Sequence, residues 1–275
     1  MIDISISGEK AKYFKTIIDV LQSVVVGPRK FSFNPDNGLI MASMEESAAV
    51  FVMFRINKPF FSSYNVESET SLGLSLDDLK KVFSRSIKDN ATINMKYTSD
   101  SNKFEITFED GLSKVEYKLN VHVPEVDNSD TISKVKAIPL DSEITFEGGG
   151  NLKNILSDVG IVAQKDLRHL AVKIENRNEL VFELKGDATG IYAKSVLKKG
   201  DGSPIHEIKS DSERVESLYD MENLEKLFKI DAMADKSVME LSSDNPLRIT
   251  FSLADDNIEF VYLVAPLDTE EEEDF

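Results

Sequence analysis

Apolar residues recur along residues 10–22, KAKYFKTIIDVLQ, as Phe14, Ile17, Ile18 and Leu21. A spacing of i, i+3, i+4 and i+7 lines one face of an amphipathic helix, because about 3.6 residues complete a turn. The same spacing returns 138 residues later (152 − 14) as Leu152, Ile155, Leu156 and Val159 in NLKNILSDVG, residues 151–160. A second helical pattern, LDDLKKVF at 76–83, has a near-copy in MENLEKLF at 221–228, where Leu79, Val82 and Phe83 are matched by Leu224, Leu227 and Phe228. Strand patterns repeat as well: TINMKY (92–97) and KFEITF (103–108) alternate apolar and polar residues, as do SVMELS (237–242) and PLRITF (246–251). Each half reads as strand, helix, several strands, helix, several strands. The pattern predicts an α+β chain of two similar units.

The join between them is HVPEVDNSDTISKVKAIPLD, residues 122–141. Its prolines, its Asp, Asn and Ser residues and its lack of sustained periodicity predict an extended linker. A following proline biases Val123 and Ile138 toward extended backbone. The expected organisation is an N-terminal domain at 1–121, a connector at 122–141, a C-terminal domain at 142–267 and an acidic tail at 268–275. The tail ends in EEEEDF, a charge run expected to be solvated and disordered. A polar stretch at 198–217 reads as a loop flanking a short strand.

Charge changes this picture. Lysines and arginines number 32 against 49 carboxylates, a net −17, and a uniformly acidic surface repels a phosphate backbone. Distribution decides binding, however. The polar helix faces carry Lys10, Lys12 and Lys15, then Lys80, Lys81, Arg85 and Lys88, then Lys153, and finally Lys226 and Lys229. Asp77, Asp78, Glu222 and Glu225 fall mostly in first turns, where the helix dipole stabilises carboxylates. If the helices share one side of the molecule, their lysines form a basic surface on an acidic body. Such a surface would hold a phosphate backbone electrostatically without reading sequence, since nothing here resembles a base-reading helix or a stacking platform.

Other chemistry is poorly represented. The chain has no cysteine, so no disulfide or thiolate metal site, and no apolar run of 18 residues to span a membrane. Its first residues, MIDISISGEKAK, lack the pattern of a secretory leader. His122, His169 and His206 are scattered, and no zinc-protease, nucleophile-elbow, calcium-loop or phosphate-loop motif occurs. Gly148, Gly149 and Gly150 precede a helix but lack the Lys-Ser/Thr continuation, so a strand-to-helix turn is expected there. The expectation is a protein that is not an enzyme and needs no cofactor or metal. A metal-dependent hydrolase stands as a distant alternative on the number of carboxylates alone.

NGLIMASMEES (37–47), YNVESETSLGLSLDDLKKVF (64–83) and DNPLRITFSLADDNIEFVYLVAPLDTEEEEDF (244–275) together resemble the proliferating cell nuclear antigen family, the archaeal and eukaryotic DNA sliding clamps. The likeness spans essentially the whole chain. It implies the DNA-clamp fold: two similar βαβββ-repeat domains per chain, with rings of three chains carrying helices inside and sheets outside. An edge strand near Leu112–Leu119 would pair with one near Gly190–Lys198 of the next chain. The resemblance implies a processivity factor that encircles duplex DNA, is opened by a clamp loader, and tethers DNA polymerase. Flap endonuclease and DNA ligase would be further clients in replication and repair, captured through short peptide motifs. The matching pocket positions are Met44, Val123, Ile138, Pro139 and Pro246, with Leu263, Val264, Ala265 and Pro266. Gln22, Ser84, Asn154 and Ser157 stand where the family often has a basic residue. A homotrimer is expected, with a subunit of a heterotrimeric or damage-checkpoint clamp as the alternative. Localisation would be cytoplasmic in an archaeal-type cell and nuclear in a eukaryote.

Overall fold

The computed structural model describes residues 1–123, 129–163, 168–186 and 190–267; the acidic tail and part of the connector lie outside these. The chain divides into two compact units. One comprises Met1–Met44, Val52–Lys136 and Ala254–Phe260; the other comprises Glu45–Phe51, Ala137–Leu253 and the residues from Val261 onward.

The first repeat runs β1 (Ile2–Ser7), α1 (Gly8–Val24), β2 (Pro28–Asn34), β3 (Gly38–Met44), β4 (Val50–Ile56), β5 (Ser63–Val66), β6 (Thr70–Ser75), α2 (Leu76–Phe83), β7 (Thr92–Tyr97), β8 (Lys103–Glu109) and β9 (Lys114–Asn120). A connector helix α3 (Ser129–Lys136) follows. The second repeat runs β10 (Ser142–Glu147), α4 (Asn151–Gly160), β11 (His169–Glu175), β12 (Glu179–Gly186), β13 (Ile191–Lys198), β14 (Ile205–Ser210), β15 (Arg214–Asp220), α5 (Met221–Glu225), α6 (Phe228–Asp231), β16 (Lys236–Leu241), β17 (Leu247–Leu253) and β18 (Ile258–Val264).

Strand order makes the duplication explicit. The first repeat orders its strands β5-β1-β7-β8-β9 and β6-β2-β3-β4; the second orders them β14-β10-β16-β17-β18 and β15-β11-β12-β13. Adding nine to each label of the first repeat yields the second. β4 and β18 are hydrogen-bonded neighbours, and each is divided between the two compact units. Inside the first unit Asn57 donates its amide to the Asn257 carbonyl at 2.9 Å, and inside the second Ala265 donates to Ala49 at 2.8 Å.

The repeated apolar positions are core positions. Phe14, Ile17, Ile18 and Leu21 on α1 are buried, as are Leu152, Ile155, Leu156 and Val159 on α4. Each such burial contributes roughly 1.5–3 kcal/mol of transfer free energy, which is why the period-3.6 pattern holds the helices to the sheets. Along β8, Phe104, Ile106 and Phe108 point inward while the intervening residues are more exposed. Helix starts are also written locally. The Ser7 hydroxyl accepts the Lys10 amide at 3.4 Å, and the Ser75 hydroxyl accepts the Asp78 amide at 3.2 Å.

α4 begins differently. Gly148 and Gly150 have φ of +73° and +83°, and a Cβ on Gly149 would lie 2.6 Å from the Asp231 carbonyl oxygen. The glycines let the chain pass close over the end of α6, and no residue there supplies a cap side chain. Asp231, fully buried at the end of α6, takes that role: its Oδ2 accepts the Lys153 amide at 3.0 Å. Burial pushes its carboxyl above the ordinary value, opposed by the backbone amides of Lys153 and Leu152 and the Lys153 charge.

Two elements depart from the sequence expectation. MENLEKLF is not one helix, because α5 ends at Glu225 and α6 starts at Phe228. The Asn223 carbonyl accepts the Tyr262 hydroxyl at 2.9 Å, and the Leu227 amide turns instead to Leu224 at 3.1 Å, a tightened i→i−3 turn. The connector, expected to be extended, contains α3. Tertiary contact outweighs its weak local signal: Val135 is buried, and Lys136 Nζ lies 3.7 Å from Glu259 Oε1.

Asp231→Asn keeps a cap acceptor without a buried charge. We expect it to match or exceed the parent in stability at pH 7, while Asp231→Ala loses about 1–2 kcal/mol. Because the folded carboxyl titrates above its unfolded value, its stabilising contribution is full in acid and is lost as pH rises through the folded value. Chemical denaturation from pH 4 to 8 should therefore show a pH dependence in the parent that Asp231→Asn reduces.

Candidate nucleic-acid interface

In the first unit, α1 packs against α2; the two helices carry Lys10, Lys12, Lys15, Lys80 and Lys81, whereas Arg85 and Lys88, expected on the face of the second helix, lie beyond its end at Phe83. A side-chain chain crosses the pair: Gln22 donates to Asp77 Oδ1 at 3.1 Å and accepts from Lys80 Nζ. Gln22 thereby orients Lys80. Lys81 is 77% exposed and 3.4 Å from Asp78, one helical turn earlier. Lys12 reaches Asp89 at 3.8 Å with its side chain largely in solvent, and Lys15 is half-buried. Exposed pairs of this kind contribute little to stability and leave the ammonium available to a stronger anion.

The other three are engaged by the protein itself. Lys10 donates to the Phe60 carbonyl, its Nζ 5.1 Å from the centre of the Phe60 ring. The Arg85 guanidinium stacks on Phe108 at 4.8 Å, with Nη1 buried. Lys88 pairs with Asp110 Oδ2 at 2.7 Å.

That last pair organises the β8–β9 hairpin tip. Asp110 Oδ1 accepts the Leu112 amide at 3.1 Å, the Ser113 amide at 2.9 Å and the Ser113 hydroxyl at 3.1 Å. The Lys88 ammonium, followed by the Ser113 and Leu112 amides, holds the carboxyl well below the ordinary carboxylate range. The tip sequence Asp-Gly-Leu-Ser is a legible turn signal, but its coupling to Lys88 is visible only in three dimensions.

In the second unit, α4 touches both α5 and α6. Lys153 and Lys229 are exposed, and Lys226 Nζ donates to Asn223 Oδ1 at 2.8 Å. Lys153 is also the residue whose amide Asp231 caps, a double role that the sequence does not reveal.

The nine pocket positions divide between the units. In the first, Met44 ends β3 half-buried, and Val123 is exposed. In the second, Ile138, Pro246, Ala265 and Pro266 are half-buried and Pro139 is exposed, whereas Leu263 and Val264 lie in the core. The segment after β18 is fixed by backbone: Leu267 donates to the Leu218 carbonyl at 2.8 Å. Among the described residues no helix is long and apolar enough to cross a membrane.

Residues 2–131 match the family model described as proliferating cell nuclear antigen, N-terminal domain. The chain is 25% identical over 257 residues to DNA polymerase sliding clamp 1 of Thermococcus kodakarensis, covering 93% of this chain and 95% of that one. Its structure superposes on proliferating cell nuclear antigen from Thermococcus kodakaraensis with a TM-score of 0.80 at 20% identity, covering 97% of this chain and 100% of the other. On the Sulfolobus tokodaii PCNA2-PCNA3 complex the TM-score is 0.79 at 17% identity, with 96% and 98% covered. The α+β fold is that of the clamps.

The Asp110 carboxylate should remain ionised at pH 3, below the unperturbed value of about 3.9. Its contribution to tip order is present above that value and is lost only as acid reaches the depressed one. An NMR titration of the Asp110 carboxyl carbon checks this, and Lys88→Met should move the midpoint upward.

Proposed function

The chain belongs to the proliferating cell nuclear antigen family, and from that premise we propose that it is a non-catalytic DNA sliding clamp. Three copies close a ring around duplex DNA, and the ring holds a polymerase on its template. The observation that carries this reading is the asymmetry between two equivalent strand pairs. β4 and β18 are hydrogen-bonded to each other within the chain. Their counterparts, β13 and β9, are the outermost strands of their own sheets, and among the described residues nothing pairs with their outer sides. Both are long and alternating, and open edges of that kind seek a partner. A β9–β13 pair between copies repeats the β18–β4 pair already made, and such a head-to-tail contact closes a ring when the rotation is right. The lysines of these edges are neutralised in advance: Lys114 by Glu109 at 3.0 Å, Lys118 by Glu105 at 2.7 Å, Lys194 by Glu175 at 3.6 Å and Lys198 by Glu179 at 2.6 Å. They therefore do not set cation against cation across the contact.

The helices would face the hole and the acidic excess the outside, so that DNA is favoured through the ring over DNA along its wall. Lys12, Lys15, Lys80, Lys81, Lys153, Lys226 and Lys229 would be the principal phosphate contacts, with Lys10, Arg85 and Lys88 tied to Phe60, Phe108 and Asp110. Opening the ring falls to an ATP-driven loader. Clients, among them flap endonuclease and DNA ligase, would dock a short apolar-aromatic peptide on the accessible positions Met44, Val123, Ile138, Pro139, Pro246, Ala265 and Pro266, with Leu263 and Val264 as the supporting core. The protein would work where the chromosome is, in the cytoplasm of an archaeal-type cell. A second reading, in which paralogous chains share the ring, is favoured by the weak charge of α4, where Asn154 and Ser157 accompany Lys153.

Lys81→Glu combined with Lys226→Glu should shorten retention on nicked circular DNA severalfold and flatten its salt dependence, since fewer counterions are released. Light scattering should find the assembly intact. Retention unchanged across a salt series would refute the basic channel.

A further inference from the structure

Leu112 is 91% exposed at the β8–β9 tip; a single exposed leucine is ordinary, and what marks this one is how it is held. The tip is not a loose loop. Three hydrogen bonds to Asp110 Oδ1 fix the backbone around Leu112, and the Lys88 pair fixes Asp110 from behind. The side chain is thus presented on a rigid support, which lowers the entropy lost on burying it.

The chain contains a template for what such a tip meets. The turn equivalent to β8–β9 is β17–β18, and it contacts the residue immediately after β4. The Asn57 amide reaches the Asn257 carbonyl at 2.9 Å, and Asn57 Nδ2 reaches the Asp256 carbonyl at 3.3 Å. The counterpart of β4 is β13, and the residue immediately after β13 is Lys199. That residue opens the loop 199–204, which with Glu147, Ile205 and His206 lines a pocket of about 490 Å³. Gly200 and Gly202 leave room there, with no atom within 4 Å of where a Cβ would stand, and Ile205 supplies a buried apolar floor. Tyr192 and Val196, 53% and 42% exposed, extend the uncovered apolar surface along β13 toward this loop.

We infer that Leu112 is an apolar anchor of the chain-to-chain contact, seated against the Lys199–Ile205 loop of a second copy of this chain. The inference rests on the ring reading above and deepens it. The template turn carries Asp255 and Asp256 and makes its contact through backbone carbonyls. The leucine is therefore what distinguishes the contact between copies from the contact within one.

The chain has no cysteine, so a cross-link tests the placement directly. Leu112→Cys combined with Gly200→Cys should, on mild oxidation, give covalent two- and three-chain species that reductant abolishes, while each single variant stays uncross-linked. Leu112→Ser, a change at a solvent-facing position that leaves folding intact, should raise the concentration at which the assembly dissociates by about tenfold or more, from the loss of one buried leucine. Oligomers in light scattering without a cross-link, and with Leu112→Ser assembling like the parent, would overturn the anchor and leave the ring standing. A chain that is monomeric at every concentration, or that assembles only with a paralogue, would overturn both the anchor and the homotrimer.

Discussion

A β-strand at the end of a sheet carries a row of backbone N–H and C=O groups that need partners, and this constraint organises the molecule. The two repeats contain the same strands in the same order, so each repeat generates one five-stranded and one four-stranded edge of the same kind. One pair of edges, β4 and β18, finds its hydrogen bonds within the chain. The other pair, β9 and β13, is of similar length, and among the described residues no strand lies on its outer side. On the ring reading, copies supply each other's missing neighbour. The function we propose is a consequence of that incompleteness.

Charge is arranged on the same plan. The sheets carry alternating cation–carboxylate ladders, such as Lys118 with Glu105 and Lys198 with Glu179, which make the strands self-neutral along their exposed faces. The helices leave several lysines with only weak surface partners. In the proposed ring a molecule of net −17 would hold a polyanion through the lysines beside its helices, because distribution rather than the sum decides binding. Not every candidate cation serves this end: Lys88, beyond the end of α2, pairs with Asp110 and so shapes the β8–β9 hairpin tip.

The second repeat differs from the first at points where one tertiary contact substitutes for a local one. Ser7 caps α1 from its own sequence, whereas α4 starts at a glycine turn and borrows Asp231 from α6. The borrowed cap requires the close backbone approach that Gly149 permits, and it requires a carboxylate to be buried. The break between α5 and α6 has the same origin, since the Tyr262 hydroxyl takes the Asn223 carbonyl that a continuous helix would use.

The sequence by itself determined the duplication, the class and the helix faces. These rest on period-3.6 and period-2 burial, and burial is proportional to area whatever the partner. Phe14, Ile17, Ile18 and Leu21 had to be inward wherever α1 lay, and so did their counterparts on α4. The three-glycine turn was legible for the same local reasons. Only the tertiary structure decided that Lys10, Arg85 and Lys88 are engaged by Phe60, Phe108 and Asp110, that Gln22 links two helices, that the connector holds a helix, and that Asp231 caps a helix 78 residues away (231 − 153). Those outcomes depend on directional hydrogen bonds and ion pairs between segments remote in sequence. Their energies vanish unless the partners are already in place, so no single stretch of chain encodes them.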